Sequence, residues 1–227
     1  MSTHPPRRRD VFGQSERPDL VLDETTGYGC IPSPVPMLDG PCDKYTDSIE
    51  NVWTSTYFAH AIEAVVSGGQ TGADRGGLDA ALAVETPIQG WVPRGRRAED
   101  GTVPAKYAGL LETPTADYRA RTERNVKDSD ATLIFTHGPL SGGSKLTAGF
   151  CEKHGKPWLQ IDFDVEGNRD WRFAALWLQD HNARVVNVAG QRESKAPGLQ
   201  AEVAAFMGRI LCLFSPPDTP MGLPPRR

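Results

Sequence analysis

The sequence predicts an α/β protein: a doubly wound, mainly parallel sheet of about five or more strands with helices on both faces. Three observations carry this. Short apolar runs alternate with segments of helical spacing from about residue 61 to residue 214. The strand-to-helix junctions are rich in glycine, as close turns at a sheet edge require. No apolar run approaches the ~20 residues of a membrane helix, so a buried core is the place for the apolar residues.

The elements follow in order. Ile62–Val66 is a short apolar run that ends in Ser67-Gly68-Gly69, hence a strand and a turn. Leu78–Val84 is helical in composition, and Ile88–Val92 is a second strand. Asp117–Asp128 reads as a helix whose inner stripe is Tyr118, Thr122, Asn125 and Val126. Thr and Asn on such a stripe face a cleft or enter a hydrogen-bonded network, because burial without a partner is costly. Ala131–Thr136 is a strand, Leu146–His154 a helix and Trp158–Phe163 a strand. Arg169–His181 places Trp171, Ala174, Ala175 and Leu178 at helical spacing. Arg184–Val188 is a strand, and Leu199–Leu213 is a final helix stopped by Pro216-Pro217.

The chain of 227 residues suits one domain with an extension. Residues 1–60 hold five of the 25 basic and nine of the 29 acidic residues, so the net charge of −4 belongs to them. Seven of the 19 prolines lie there too, and Ile31-Pro32-Ser33-Pro34-Val35-Pro36 cannot be helix. Residues 1–60 are therefore expected to be an acidic, proline-rich extension. A short helix near residues 47–59 would present Ile49, Trp53 and Tyr57 on one face. Residues 61–214 form the ligand-binding domain in this reading, and 215–227 a flexible tail. The charge balance gives no general pull toward nucleic acid or an anionic membrane. The opening MSTHPPRRRDVFG lacks the apolar stretch of a secretory signal. Cys30, Cys42, Cys151 and Cys212 show no CxxC spacing and read as free thiols, which points to the cytoplasm. The five histidines are scattered, so no metal site is expected.

In a doubly wound sheet, ligands bind beyond the carboxyl ends of the strands. Four loops of unusual chemistry fall there. The first contains Gly68, Gly69, Gln70, Thr71, Gly72, Asp74 and Arg75, and its glycines and helix start suit a phosphate or another oxyanion. It is neither a P-loop nor GxGxxG, and a ligand-free tight turn is the bland alternative. The second contains His137, Ser141, Gly142, Gly143, Ser144, Lys145 and Thr147, again at a helix start. Ordinary turn formation competes with binding there. The third contains Gly190, Arg192, Glu193, Ser194 and Lys195, set against an exposed polar loop. The fourth, Arg94-Gly95-Arg96-Arg97-Ala98-Glu99-Asp100, either grips phosphate through its arginines or is a charge run neutralised by Glu99 and Asp100. Convergence of the four on one sheet edge favours an anion cleft over any single turn.

Together the segments VVSGGQTGADRGGLDAAL, GWVPRGRRAEDG, ETPTADYRARTERNVKDSDATLIF, LSGGSKLT and VVNVAGQRES resemble the family named "putative molybdenum carrier protein". The match spans roughly Glu63 to Leu213. That family lies in a Rossmann-like nucleotide-binding group with the Lonely Guy phosphoribohydrolases and DprA. The resemblance implies a Rossmann-like fold and, as ligand, molybdenum cofactor or a nucleotide. It also implies a homo-oligomer. The ligand phosphate would lie against Gly68, Gly69, Thr71 and Gly72 and against Gly142, Gly143 and Ser144, with Arg192 and Ser194 on the far side. The Lonely Guy hydrolases carry a Pro-Gly-Gly-x-Gly-Thr-x-x-Glu loop, and Gly149 stands here at the Glu position. The catalytic carboxylate is missing from that place, with Asp74 or Glu193 as substitutes.

Three functions compete on these grounds. A non-enzymatic carrier or sensor of a phosphate-bearing small molecule leads. A nucleotide-processing hydrolase using Asp74 or Glu193 as acid or base follows. An interaction module, in which the extension binds a partner, is third.

Overall fold

A computed structural model describes residues 61–214 of the chain. The expected extension, its helix near 47–59 and the tail from residue 215 lie outside the described residues. Strands β1 (Ala64–Val66), β2 (Ile88–Gln89), β7 (Ala131–Thr136), β8 (Trp158–Asp162) and β9 (Val185–Gly190) form one sheet in the order β2-β1-β9-β7-β8. Every neighbouring pair is parallel. This is the Rossmann-like α/β fold expected, since parallel strands need crossovers that helices supply.

The register of β7 assigns its faces. Leu133 and Phe135 join the larger core, with helices α1 (Ala73–Ala83), α4 (Trp171–Asp180) and α5 (Leu199–Phe214). On the alternate face, α2 (Tyr118–Lys127) and α3 (Gly142–His154) pack through Val126, Phe150 and Cys151. Asp117 caps α2 by accepting from the Arg119 N–H, and Gly155 closes α3 in the left-handed region. The all-buried β7 explains its unbroken apolar-rich run, as a strand covered on both faces requires.

Three expectations need correction in detail. The strand expected over Ile88–Val92 is two strands. Gly90 has φ 133° and its backbone presses on Ser67, where a Cβ would stand 2.2 Å from the carbonyl oxygen. The chain therefore leaves the main sheet, and β3 (Trp91–Val92) pairs in parallel with β6 (Leu111–Glu112). Helix α1 starts five residues before the expected Leu78, so Asp74–Gly77 is helix rather than loop. Gly76 and Gly77 there serve contact: a Cβ would stand 2.6 Å from the Gln200 carbonyl oxygen and 2.6 Å from Val188 Cγ1. Cys212 is disulfide-bonded, so the free-thiol reading holds for buried Cys151 and not for Cys212. No helix among the described residues is long and apolar enough to cross a membrane.

An insertion between β3 and β6 carries a hairpin, β4 (Arg97–Ala98) with β5 (Gly101–Thr102). Beneath it lies a second apolar cluster of Leu78, Val92, Val103, Tyr107 and Leu110. Arg96 holds this insertion. Its guanidinium donates to the carbonyls of Leu110, Tyr107, Val103 and Pro104 at 3.0–3.3 Å.

Candidate anion-binding site

The sheet order splits the crossovers. The connection from β1 runs outward to β2 and that from β7 outward to β8, leaving β9 between them. The loops after β1, β7 and β9 therefore meet at a switch point, where a crevice opens. A cavity of about 90 Å³ stands there. Asn187–Gly190 of β9 line it, with Tyr118, Arg121, Thr122 and Asn125 of α2, Gly143 and Thr147 of α3, and Gln70, Asp74 and Arg192.

The first glycine loop is built differently from the expectation of free N–H groups. Gln70 N donates to Asp74 Oδ2 at 3.2 Å, Thr71 N to Gln70 Oε1 at 3.0 Å, Ala73 N to the Gln191 carbonyl and Arg75 N to the Gln70 carbonyl. The loop's backbone is largely consumed by its own fold. Its glycines make room for side chains and backbone instead of for a ligand alone. A Cβ on Gly68 would stand 1.5 Å from Arg121 Nη1, and one on Gly72 2.5 Å from the Gln191 carbonyl oxygen. Gly69, at φ 69°, faces Val103 of the second cluster.

The helix start of α3 is the open one. Gly142 and Gly143 stand at its first two positions with nothing within 4 Å of their would-be Cβ atoms. Their N–H groups have no intrahelical acceptor by geometry. Ser144 turns back on the preceding residue, its Oγ accepting from Ser141 N at 3.1 Å and donating to the Ser141 carbonyl. Thr147 Oγ1 donates to the Gly143 carbonyl.

Two residues that line the cleft carry a buried donor without a partner, Gln70 Nε2 and Arg121 Nε. Arg121 pairs through Nη1 with Asp74 Oδ2 at 3.2 Å, and their side chains are 13% and 6% exposed. Burial pushes the Asp74 carboxyl above its ordinary value, against the opposing pull of Arg121 and of the Gln70 N–H. Arg192 stacks on Tyr118, its guanidinium carbon 5.8 Å from the ring centroid. Asn125 is structural as well as cleft-lining: it brackets the Trp91 backbone, accepting at 2.7 Å and donating at 3.3 Å.

The other expected site residues divide. Arg75 is committed to Asp100, with a further bond to the Gly69 carbonyl at 3.2 Å. Thr71 and Ser194 both bind Glu99. Desolvation would raise Glu99, but the hydrogen bonds from Ser194 and Thr71 outweigh it and hold the carboxyl below its ordinary value. Glu193 accepts from Gly198 N at 2.5 Å and Gln200 N at 3.0 Å, so it serves the start of α5. Arg94 is exposed and lies outside the cleft. His137 points away as well, since Asp164 at 2.7 Å and Glu202 at 2.8 Å take its two ring nitrogens. Arg121 is the residue the reading of the sequence missed. It stands three residues after Tyr118 and four before Asn125, on the very stripe that was singled out.

Comparison with known proteins agrees with this architecture. Residues 65–211 match the model of the circularly permutated YpsA SLOG family. A protein from Syntrophus aciditrophicus SB, with a crystal structure under the name "Putative molybdenum carrier protein", is 44% identical to this chain. The similarity covers 67% of this chain and 96% of that one, with a TM-score of 0.61. No curated protein matches the chain. With the family match spanning most of the described residues, from β1 into α5, the chain belongs to the circularly permutated YpsA SLOG family.

Proposed function

We propose that the chain is a carrier-type binding protein that holds the phosphate of a small molecule, a molybdenum cofactor or a nucleotide, in the cleft at the switch point. The observation that carries this is the pair of unpartnered buried donors, Gln70 Nε2 and Arg121 Nε, on residues lining one cleft with the open start of α3. An unmade hydrogen bond at a buried donor costs about 1–3 kcal/mol, and an oxyanion placed there would recover it. Helix-start N–H groups add positive partial charge on the same side.

The donor set suits a tetrahedral oxyanion. Among the described residues no group of three His, Cys, Asp or Glu could hold a metal ion. In this reading molybdenum comes bound to its cofactor, whose phosphate is gripped by Gln70, Arg121 and Gly143. The name of the Syntrophus relative supports the carrier reading. A second reading, a nucleotide-processing hydrolase, draws on Asp74: it is the acid lining the cleft, and its carboxyl is held above the ordinary range. Glu193 accepts from the Gly198 and Gln200 N–H groups at the start of α5, so this reading rests on Asp74.

The test begins with what copurifies. Freshly purified native protein is denatured, released small molecules are identified by mass spectrometry, and molybdenum is read from the same sample. A phosphorylated pterin with stoichiometric molybdenum supports the carrier. A nucleotide without molybdenum replaces the cargo and keeps the cleft. Free base released from nucleoside monophosphates, and lost in Asp74→Asn, favours the hydrolase. Failure to bind inorganic phosphate or any nucleotide by calorimetry refutes the cleft altogether.

A further inference from the structure

The tip of the β4–β5 hairpin sets two carboxylates on groups suited to an anion. Glu99 Oε1 accepts from the Thr71 hydroxyl and from Ser194 N at 3.2 Å. Glu99 Oε2 accepts from Ser194 Oγ at 2.6 Å and lies 3.9 Å from the Arg192 guanidinium. Asp100 beside it takes Arg75 bidentately at 2.6 and 2.8 Å. Two hydroxyls, a backbone N–H and a guanidinium converging on one carboxylate are the donor set of an oxyanion site.

The carboxylate in that place belongs to a light element. Each strand of the hairpin has two residues, and a Cβ added at Gly101 would meet nothing within 4 Å. None of residues 97–102 is buried, so the tip is held chiefly by these hydrogen bonds and the Asp100 ion pair, partners for which an anion can compete. Arg192 joins the two places, since it lines the cleft and faces Glu99. Gln70 does too: its Oε1 accepts from Glu99 N at 2.9 Å while its Nε2 is unpartnered in the cleft wall. A cavity of about 90 Å³ is small beside the ~300–1,000 Å³ of pockets that enclose a whole small molecule, so a larger ligand must move something.

We propose that Thr71, Ser194 and Arg192 form a second oxyanion subsite beside the cleft, filled by Glu99 in the free protein. The second anionic group of a diphosphate-type ligand takes it by displacing the hairpin tip. This rests on the cleft reading above. Glu99 then acts as a built-in competitor. A ligand with one anionic group leaves it in place, and a ligand with two must expel it. The apparent dissociation constant is the intrinsic one divided by the open fraction, so a tip seated about 90% of the time weakens binding about tenfold.

The experiment is calorimetry on the full chain with inorganic phosphate and pyrophosphate, in wild type, Glu99→Gln and Glu99→Ala. Pyrophosphate is expected to bind about tenfold tighter or more in both variants, with phosphate changed less than about twofold. Hydrogen exchange on the wild type gives an independent reading. Amides of residues 97–102 should lose protection with pyrophosphate and not with phosphate, and this decides alone if the variants fail to fold. Unchanged or weaker pyrophosphate affinity in folded variants, or unchanged exchange, overturns the hairpin's role while phosphate binding leaves the cleft standing. Absence of binding by both anions to wild type overturns the cleft reading and the subsite with it.

Discussion

Gly68→Ala isolates the part of the site that depends on Arg121. Gly68 is not among the residues of positive φ, so alanine meets no backbone strain there. Its Cβ would stand 1.5 Å from Arg121 Nη1 and 2.2 Å from Cζ, so the guanidinium must leave. The ion pair with Asp74 at 3.2 Å goes with it. At an effective dielectric of about 20, that pair is worth about 5 kcal/mol of gross attraction. Arg121 recovers hydration when it swings out, and Asp74 keeps the Gln70 N–H at 3.2 Å. A net loss of about 2–4 kcal/mol near pH 7.5 is expected, close to the range for breaking a buried pair. The loss should depend on pH in a definite sense. Burial already raises Asp74 above its ordinary value, and removal of Arg121 raises it further. A carboxyl raised in the folded state disfavours folding as pH climbs from its unfolded value, about 3.9, toward its folded one. The deficit of the variant therefore grows as pH climbs from the folded value of the wild type to the higher folded value of the variant, and is smallest below both. Urea unfolding of wild type, Gly68→Ala, Arg121→Ala and the double variant measures this. Because the effect runs through Arg121, the double variant should be no less stable than Arg121→Ala within about 0.5 kcal/mol. Additive losses, or wild-type stability together with wild-type phosphate affinity in Gly68→Ala, would refute the reasoning.

Other positions test the frame around the cleft. Gly76→Ala puts a Cβ 2.6 Å from the Gln200 carbonyl oxygen and 2.7 Å from Val203 Cβ, so the α1–α5 contact must spread. A net loss of about 1–3 kcal/mol by urea unfolding is expected despite the better helix propensity of alanine, and a gain in stability would sink the close-approach account. Arg96→Ala strips donors from four carbonyls and should cost about 2–3 kcal/mol, with faster proteolysis within residues 93–111; equal protection in both proteins would count against it. His137 is raised above its ordinary value chiefly by the Asp164 hydrogen bond, with burial opposing and Glu202 adding. Its stabilisation is fully present below the unfolded value of about 6.5 and lost as pH rises through the folded one. The stability gap between wild type and His137→Gln should accordingly close on raising the pH from about 5.5 to 9, and a constant gap would show that the bridge is not ionic.

The fold was legible because its signal is repeated. Apolar runs alternate with segments of helical spacing along the chain, and β7 and the ends of α2 fall where that pattern placed them. The parts that were not legible are those where glycine has two uses. Gly76 and Gly77 read as loop and are helix, because close approach to α5 and β9 demands a missing side chain as strongly as a turn does. The same ambiguity affects Gly69. The resemblance puts a ligand phosphate against it, yet in the structure a Cβ there would meet Val103 Cγ1 at 2.8 Å and disturb the second core. The insertion between β3 and β6 was invisible for a different reason. Its strands have two residues each, too few for any period, and its cohesion comes from one arginine bonded to four carbonyls.

Charge was the hardest quantity to read in one dimension. The sequence offered Arg94, Arg96 and Arg97 as a phosphate grip, with Glu99 and Asp100 as their neutralisers. The fold reverses the roles. Arg96 serves the backbone of its own insertion, while Glu99 and Asp100 cross to Thr71, Ser194 and Arg75 in segments 25 to 95 residues away. Loop composition therefore pointed to the sheet edge where the cleft opens and misidentified which charges face it. What decides the matter is pairing across the sheet edge. Arg75, expected as a ligand contact, is paired with Asp100 and the Gly69 carbonyl, and Arg121, which lines the cleft, keeps an unpartnered Nε. A cation counts toward a binding site by the hydrogen bonds it still has to give, and only the three-dimensional inventory of donors and acceptors supplies that number.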